Sequence, residues 1–459
     1  MPGWLLHALQ MFFVLVVVLG PVPLALAVVR RESSGHGALE HWLATFVIGA
    51  ALQFAGGMLL GVVGAFALGP LLVLELVLIV AGLLALRRTG LPRLLPPRVL
   101  ETGVAGAIVG LLIAGGLGFA DLVVHPTRNF DSLAYHLPVM ARWVSSSSLE
   151  VFAELGQVAL YPSHFELLST MLHLPAGQDL LISAPNLLAW AQLGLAILFV
   201  GRFLGASRPA GIVAAALVLL TPSILSRLDA IQPDILLAAT YLTALGFAVR
   251  SRERLERLDL LVLLVSAAVL SGLKLSGPVF VLMLLPVALV GPELVWRSPR
   301  RMLERVAPVG ARRVLPGWMA GALVLALFWY LRNWIELGNP FGDLEISLFG
   351  ATIFEGSISR AELSRGALSQ VFRVGASEDW SVLAGVLWEW LGAGAAFLFV
   401  AALTVVTLAR TRARGIVAVL LLLCVALYWR TPYGGDNGTH GWQVTPWIEV
   451  GLRYGFPVL

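Results

Sequence analysis

The stretch Asn129-Phe130-Asp131-Ser132-Leu133-Ala134-Tyr135-His136-Leu137-Pro138 brings an acid, a phenol and an imidazole together. If it is helical, Asp131 and Tyr135 share a face, with His136 close by. An acid facing a cleft can act as a general base and take a proton from an attacking hydroxyl. The alternative is that Asp131 only caps the N-terminus of a short helix. Further on, Tyr161-Pro162-Ser163-His164-Phe165-Glu166 sets a histidine and a glutamate two apart. Zinc wants three or four ligands, so this pair does not make a metal site, and interfacial anchoring or acceptor binding is expected. Asp229 and Asp234 add acids, and Asp234 also suits the start of a helix after Pro233.

Three basic residues complement these acids. Lys274 is the single lysine in the chain, and every other basic site that is not histidine is arginine. Flanked by Gly272 and Gly277, it ends an apolar run, where an ammonium can hold a phosphate or snorkel to the membrane interface. Arg332, in Arg332-Asn333-Trp334 ahead of Gly338-Asn339-Pro340, and Arg453, followed by Tyr454, close other apolar runs. Either can bind an anion or anchor a helix.

The elements that must position these groups are apolar. Of 459 residues, 58% are hydrophobic and only 13% charged, with a mean hydropathy of +0.88. A soluble domain carries roughly 25% charged residues. The apolar residues come in uncharged runs near the roughly 20 residues that a spanning helix needs, not in the short alternating segments of a membrane β-barrel. An all-α, polytopic transmembrane bundle is therefore expected. Its twelve complete spans fall near 4–29, 42–61, 66–86, 100–120, 180–200, 209–225, 233–249, 258–273, 277–290, 314–334, 383–408 and 415–429. A thirteenth run begins around Val450 and stops at Leu459, so a further C-terminal portion is expected. The first run lacks a basic leader and reads as a retained helix. The lone Cys424 can form no intrachain disulfide. The net charge of +4 reflects anchoring arginines better than a nucleic-acid partner.

Arginine clusters at 30–31, 87–98, 202–208, 250–257, 297–313 and 410–414 fall on alternate sides of successive spans. By the positive-inside rule they mark the cytoplasm. The opposite, non-cytoplasmic side then holds the long connections 121–179 and 335–382, with interfacial helices expected in the first. Long loops in a compact membrane protein are usually functional. Residues 1–98 read as an N-terminal extension of three spans, and 99–459 as the core.

Taken in order, four features resemble the polytopic GT-C glycosyltransferases, specifically bacterial relatives of protein O-mannosyltransferases and aminoarabinose transferases (family 39-like). They are the Asp131 to Pro138 loop after a span, Tyr161-Pro162 with an acid nearby, Gly272-Leu273-Lys274, and Trp329 to Trp334 with Gly338-Asn339-Pro340. Arg453-Tyr454 fits as well, and the match covers roughly residues 100–459. The resemblance implies a polyprenyl-phosphate sugar as donor, transfer with inversion in a bacterial inner membrane, and Asp131 as base with His136 as its neighbour. Lys274, Arg332 and Arg453 would stabilise charge on the departing lipid phosphate. Family members often carry two adjacent acids where this chain has Asp131-Ser132. The second acidic role, or acceptor binding, is left to Glu166, Asp229 or Asp121, with Tyr135, His164 and Asp234 nearby. A divalent metal has no ligand motif to support it. The rival readings are a transporter or flippase, and a non-catalytic membrane subunit. A transporter should carry midplane ionisable groups in broken helices, whereas the charges recognised here gather near one face.

Overall fold

A computed structural model describes residues 3–94, 104–252, 256–289, 314–359, 374–391 and 412–430. Seven helical segments in it are long and apolar enough to cross a membrane: Leu5–Glu32, Ala38–Val62, Leu68–Thr89, Ala105–Val124, Ala184–Phe203, Asp234–Ser251 and Leu315–Leu337. Shorter apolar helices lie between them. This is a helical bundle of the kind that sits in a membrane. On Ala105–Val124, for example, Val109, Leu112, Ile113 and Leu117 are all exposed on the outside, where only lipid would welcome them.

The first segment is two helices, α1 (Gly3–Leu19) and α2 (Val22–Glu32), broken at Gly20-Pro21. It was expected as one uninterrupted span. Proline removes a backbone donor and clashes with the preceding turn, so the break is local in origin. Then follow α3 (Ala38–Val62), α4 (Leu68–Thr89) and α5 (Ala105–Val124). A π-helical turn, Ser132–His136, leads into α6 (Leu137–Ser146), and α7 (His164–Ala176) completes the first long loop. Next come α8 (Ala184–Phe203), α9 (Arg208–Leu219), the short α10 (Pro222–Leu225) and α11 (Asp234–Ser251). The run expected as one span over 209–225 is thus a twelve-residue helix stopped ahead of Pro222. After it come α12 (Arg257–Leu273), α13 (Gly277–Leu289), α14 (Leu315–Leu337), α15 (Ser377–Leu391) and α16 (Arg412–Arg430). Arg453, and most of the run expected over 383–408, lie outside the described residues.

The second long loop contains a hairpin that the apolar pattern did not announce. Strands β1 (Ile346–Leu348) and β2 (Ala351–Phe354) pair antiparallel across Phe349-Gly350. Both turn residues have positive φ, 51° and 86°. This is the handedness that two-residue hairpins require. Its base is organised by the Gly338-Asn339-Pro340 motif. Gly338 takes a left-handed φ of 75° to close α14, the usual use of glycine there. Asn339 Nδ2 then donates to the carbonyls of Leu344 and Glu355.

The N-terminal spans share the main core. One buried apolar cluster includes Val14, Phe54 and Leu71 together with Phe165, Tyr241, Leu270, Trp329 and Cys424. A polar clasp joins the same parts at the arginine-rich end. Ser34 Oγ donates to Glu256 at 2.8 Å, and His36 Nε2 meets Asp259 Oδ1 at 3.0 Å. Arg250 also donates to Asp259 at 2.6 Å. Glu256 and Asp259 form a reciprocal capping box at the start of α12, satisfying otherwise orphaned donors. The seventeen residues of α12 then carry the chain about 25 Å at 1.5 Å per residue. At the far end lie the residues named first above.

Candidate functional site

The site is built from four chain segments: the π-helical turn with the start of α7, the 226–234 turn, the C-terminal end of α12, and the C-terminal end of α14. Asp131 precedes the π turn with helical backbone angles and makes no side-chain capping bond. The N-cap alternative is therefore incorrect. Its carboxylate instead accepts a hydrogen bond of 2.8 Å from Gln232 Nε2, which also reaches Asn129 Oδ1 at 3.2 Å. Gln232 is buried, and its own carbonyl accepts from Arg227. The amide is thereby oriented with its donors toward Asp131.

Ser132, the residue after Asp131, is wholly buried. Its hydroxyl donates to Asn129 and accepts from the backbone N–H of Ile231 at 2.8 Å. The serine pins the loop to the 226–234 turn and leaves Asp131 the one carboxylate of that dipeptide. One turn residue beyond Gln232, after Pro233, Asp234 opens α11 and pairs with Lys274 Nζ at 2.7 Å. The segment Gln232-Pro233-Asp234 thus ties Asp131 to Lys274, although the two are 143 positions apart in sequence. Asp234 is buried, and the Lys274 side chain is a quarter exposed.

His136 is buried, and its Nδ1 meets Glu166 Oε1 at 2.6 Å, the shortest contact in the group. Tyr135 lies against the same imidazole, ring centroids 4.2 Å apart. Glu166 Oε2 has no hydrogen-bond partner among the described residues. His164 and Glu166 do not converge. Two residues apart on a helix point to nearly opposite sides, about 200° around. His164 instead turns inward, wholly buried, stacked on Phe54 at 4.1 Å, with Nδ1 3.3 Å from the Val269 carbonyl. Burial drives its pKa down to about 3, outweighing the upward pull of that carbonyl. His164 is a neutral packing group, and its expected acceptor role is corrected. Among the described residues no three histidine, cysteine, aspartate or glutamate side chains converge as a metal-binding group.

Arg332 is also corrected. It is buried, lies over the Trp329 ring at 4.7 Å, and donates to Asn333 Oδ1 and the Leu149 carbonyl. Asn333 in turn donates to the Leu160 carbonyl at 2.7 Å. The Arg332-Asn333 pair therefore fastens the middle of the first long loop, at Leu149 and Leu160, to α14, which suits holding the loop better than holding a mobile phosphate. Asp229, on the same 226–234 turn, is acted on by the Asp121, Arg128 and Arg227 charges. Burial first, and then the Asp121 charge, push its pKa up. Asp121 itself accepts from Arg128 and meets His125 Nδ1 at 2.8 Å.

Gln232 escaped sequence reasoning, and Asn129, Ser132 and Asn333 entered it only as parts of motifs, because uncharged amides and hydroxyls carry no charge signal. Their only cue is position, each within three residues of a recognised charged group. The arrangement holds one half-buried carboxylate in a fixed orientation, links it through Gln232-Pro233-Asp234 to the lysine ammonium, and includes a buried imidazole–carboxylate pair. Compared with protein-family models, curated proteins and solved structures, the chain matches none of them.

Proposed function

We propose that the chain is a membrane glycosyltransferase that moves a sugar from a polyprenyl-phosphate donor to an acceptor hydroxyl or amine. In this reading it has about twelve complete spans in a GT-C-like fold in a bacterial inner membrane. Its reaction takes place on the periplasmic or extracellular side, opposite the arginine clusters. The observation that carries the reading is the Asp131–Gln232 and Asp234–Lys274 linkage, in which one short turn holds the partners of both the base and the cation. Asp131, held by Gln232, takes the proton from the acceptor as the acceptor attacks the anomeric carbon. The bond to the lipid phosphate breaks, and Lys274 stabilises the charge left on that phosphate. His136 and Glu166 support the loop carrying the base. Arg453, in the sequence beyond the described residues, remains a further phosphate ligand in this scheme, and no ligand motif supports a divalent metal in it.

The test uses membranes carrying the wild type or Asp131→Asn, a polyprenyl-phosphate sugar and a pool of acceptors. Asparagine keeps size but cannot take the proton, so transfer is expected to fall by about two orders of magnitude or more. Full transfer by the variant rules out a base at this position. A requirement for a soluble nucleotide sugar removes the donor assignment.

One feature favours a second reading, a transporter. The expectation that charges avoid the middle of the bundle does not hold for Glu75, which lies buried against the break between α1 and α2. Ionisable groups at broken helices are a transporter trait. Substrate movement without any glycosylated product would decide for that reading.

A further inference from the structure

Glu75 is the eighth residue of α4, about 10 Å along the helix axis. It is wholly enclosed by the protein, and neither carboxyl oxygen has a hydrogen-bond partner. Its carboxyl presses on Gly20, where a methyl group would lie 2.9 Å from Cδ and closer still to Oε2. Any side chain but hydrogen at position 20 would evict it.

The break supplies more acceptors. Pro21 has no N–H, so the Val17 carbonyl loses its helical donor. Gln53, buried on α3, donates to that carbonyl from Nε2 at 2.6 Å, and its own Oε1 is left without a partner. Around one broken turn sit three buried side-chain oxygens, and among the described residues the only amide that serves them is Gln53, with one hydrogen on the Val17 carbonyl and the other toward Glu75; the Gln53 Oε1 is left without a donor. Among the described residues no charge compensates Glu75. The charged and titratable groups of α2, α3 and α4 stand near the helix ends, at 30–32, 40–41 and 87–88. On α1, His7 contacts Gln10, and on α7, Glu166 and His173 meet His136 and Asp179 while His164 faces Val269. A bare carboxylate in such a place is costly, because neither water nor a counter-charge replaces its hydration.

We propose that Glu75 is a proton-binding site inside the membrane, its carboxyl O–H supplying the one donor that the acceptors around the Gly20-Pro21 break lack. The ligand is a proton and not a metal cation. The bound form is a neutral acid that seals the break, and the ionised form is the one in which the break would have to open or take in water. The site is separate from Asp131 and stands whether the chain transfers sugars or transports a substrate.

The test is infrared difference spectroscopy on the full chain in lipid vesicles, comparing the wild type with Glu75→Gln at neutral pH in choline chloride. The expected result is loss of one protonated-acid carbonyl stretch in the variant, equal to one proton per chain. Loss of the carboxylate stretches instead would overturn the proposal. If Glu75→Gln does not fold, Glu75→Asp serves: the acid band should shift in frequency, and an unshifted band counts against the assignment. Replacing choline by sodium should leave the band unchanged. Bleaching by sodium would show a cation in place of the proton and overturn the proposal.

Discussion

Gly272→Ala isolates the fit on which the lysine end of the site depends. Gly272 is the last residue but one of α12, two before Lys274. A Cβ at position 272 would stand 2.6 Å from His164 Nε2 and closer still to Cε1 and Nδ1 of the same ring. Ordinary contact begins near 3.4 Å. The imidazole has little room to retreat: Phe54 stacks on it at 4.1 Å, Trp329 packs against it in a T shape with ring centroids 6.2 Å apart, and Nδ1 is tied to the Val269 carbonyl. Overpacking a rigid core costs about 1–3 kcal/mol. Losing the hydrogen bond to Val269 adds about 0.5–1.5 kcal/mol, so destabilisation on the order of 2–4 kcal/mol is expected. Thermal inactivation of purified protein in detergent, or denaturant titration, reads this directly. His164→Ala makes a cavity on its own. In the double variant the new methyl group enters that cavity, so the two effects should be less than additive by about 1 kcal/mol or more. A Gly272→Ala protein as stable as wild type, or strict additivity, would refute the claim that this glycine exists to seat His164.

The remaining expectations are tested together. Lys274→Ala should weaken use of the lipid-linked donor, read as a raised KM, while Lys274→Arg should recover part of it because the charge survives; equal loss in both would point to a structural ammonium. Gln232→Leu leaves Asp131 in place but unoriented, so transfer should fall by about tenfold or more with little loss of fold; unchanged kcat would make Gln232 a spectator. His164 is neutral when folded, with a pKa of about 3 against an ordinary value of 6.5. The unfolded chain therefore binds the extra proton, and stability present above pH 6.5 should drain away as pH falls toward 3. His164→Phe should flatten that part of the stability–pH profile, and an unaltered slope would place the titrating group elsewhere.

The amino-acid sequence by itself determined that the chain is an apolar helical bundle. Hydropathy over about twenty residues is a local property, and a backbone in lipid has no choice but to satisfy its own hydrogen bonds. The residues with distinctive chemistry were legible for the same reason: Asp131, His136, Glu166 and Lys274 stand out as charges in a chain that has few. The positions of helix breaks were only partly legible. Pro21 and Pro222 interrupt runs that hydropathy alone joins, and the Phe349-Gly350 hairpin has too short a pattern to be recognised. What each charged residue touches was decided by tertiary structure alone. The sequence puts His164 beside Glu166, yet helical geometry sends one into the core and the other to His136. It makes Arg332 look like an anion binder, yet packing lays it over Trp329 and directs its donors to Asn333 and the Leu149 carbonyl. It hides Glu75 among leucines, and only the docking of α4 against the Gly20-Pro21 break shows a buried acid without a counter-charge among the described residues. Spacing along the chain governs neighbours within a turn or two, whereas partners a hundred or more residues apart are chosen by how the helices pack.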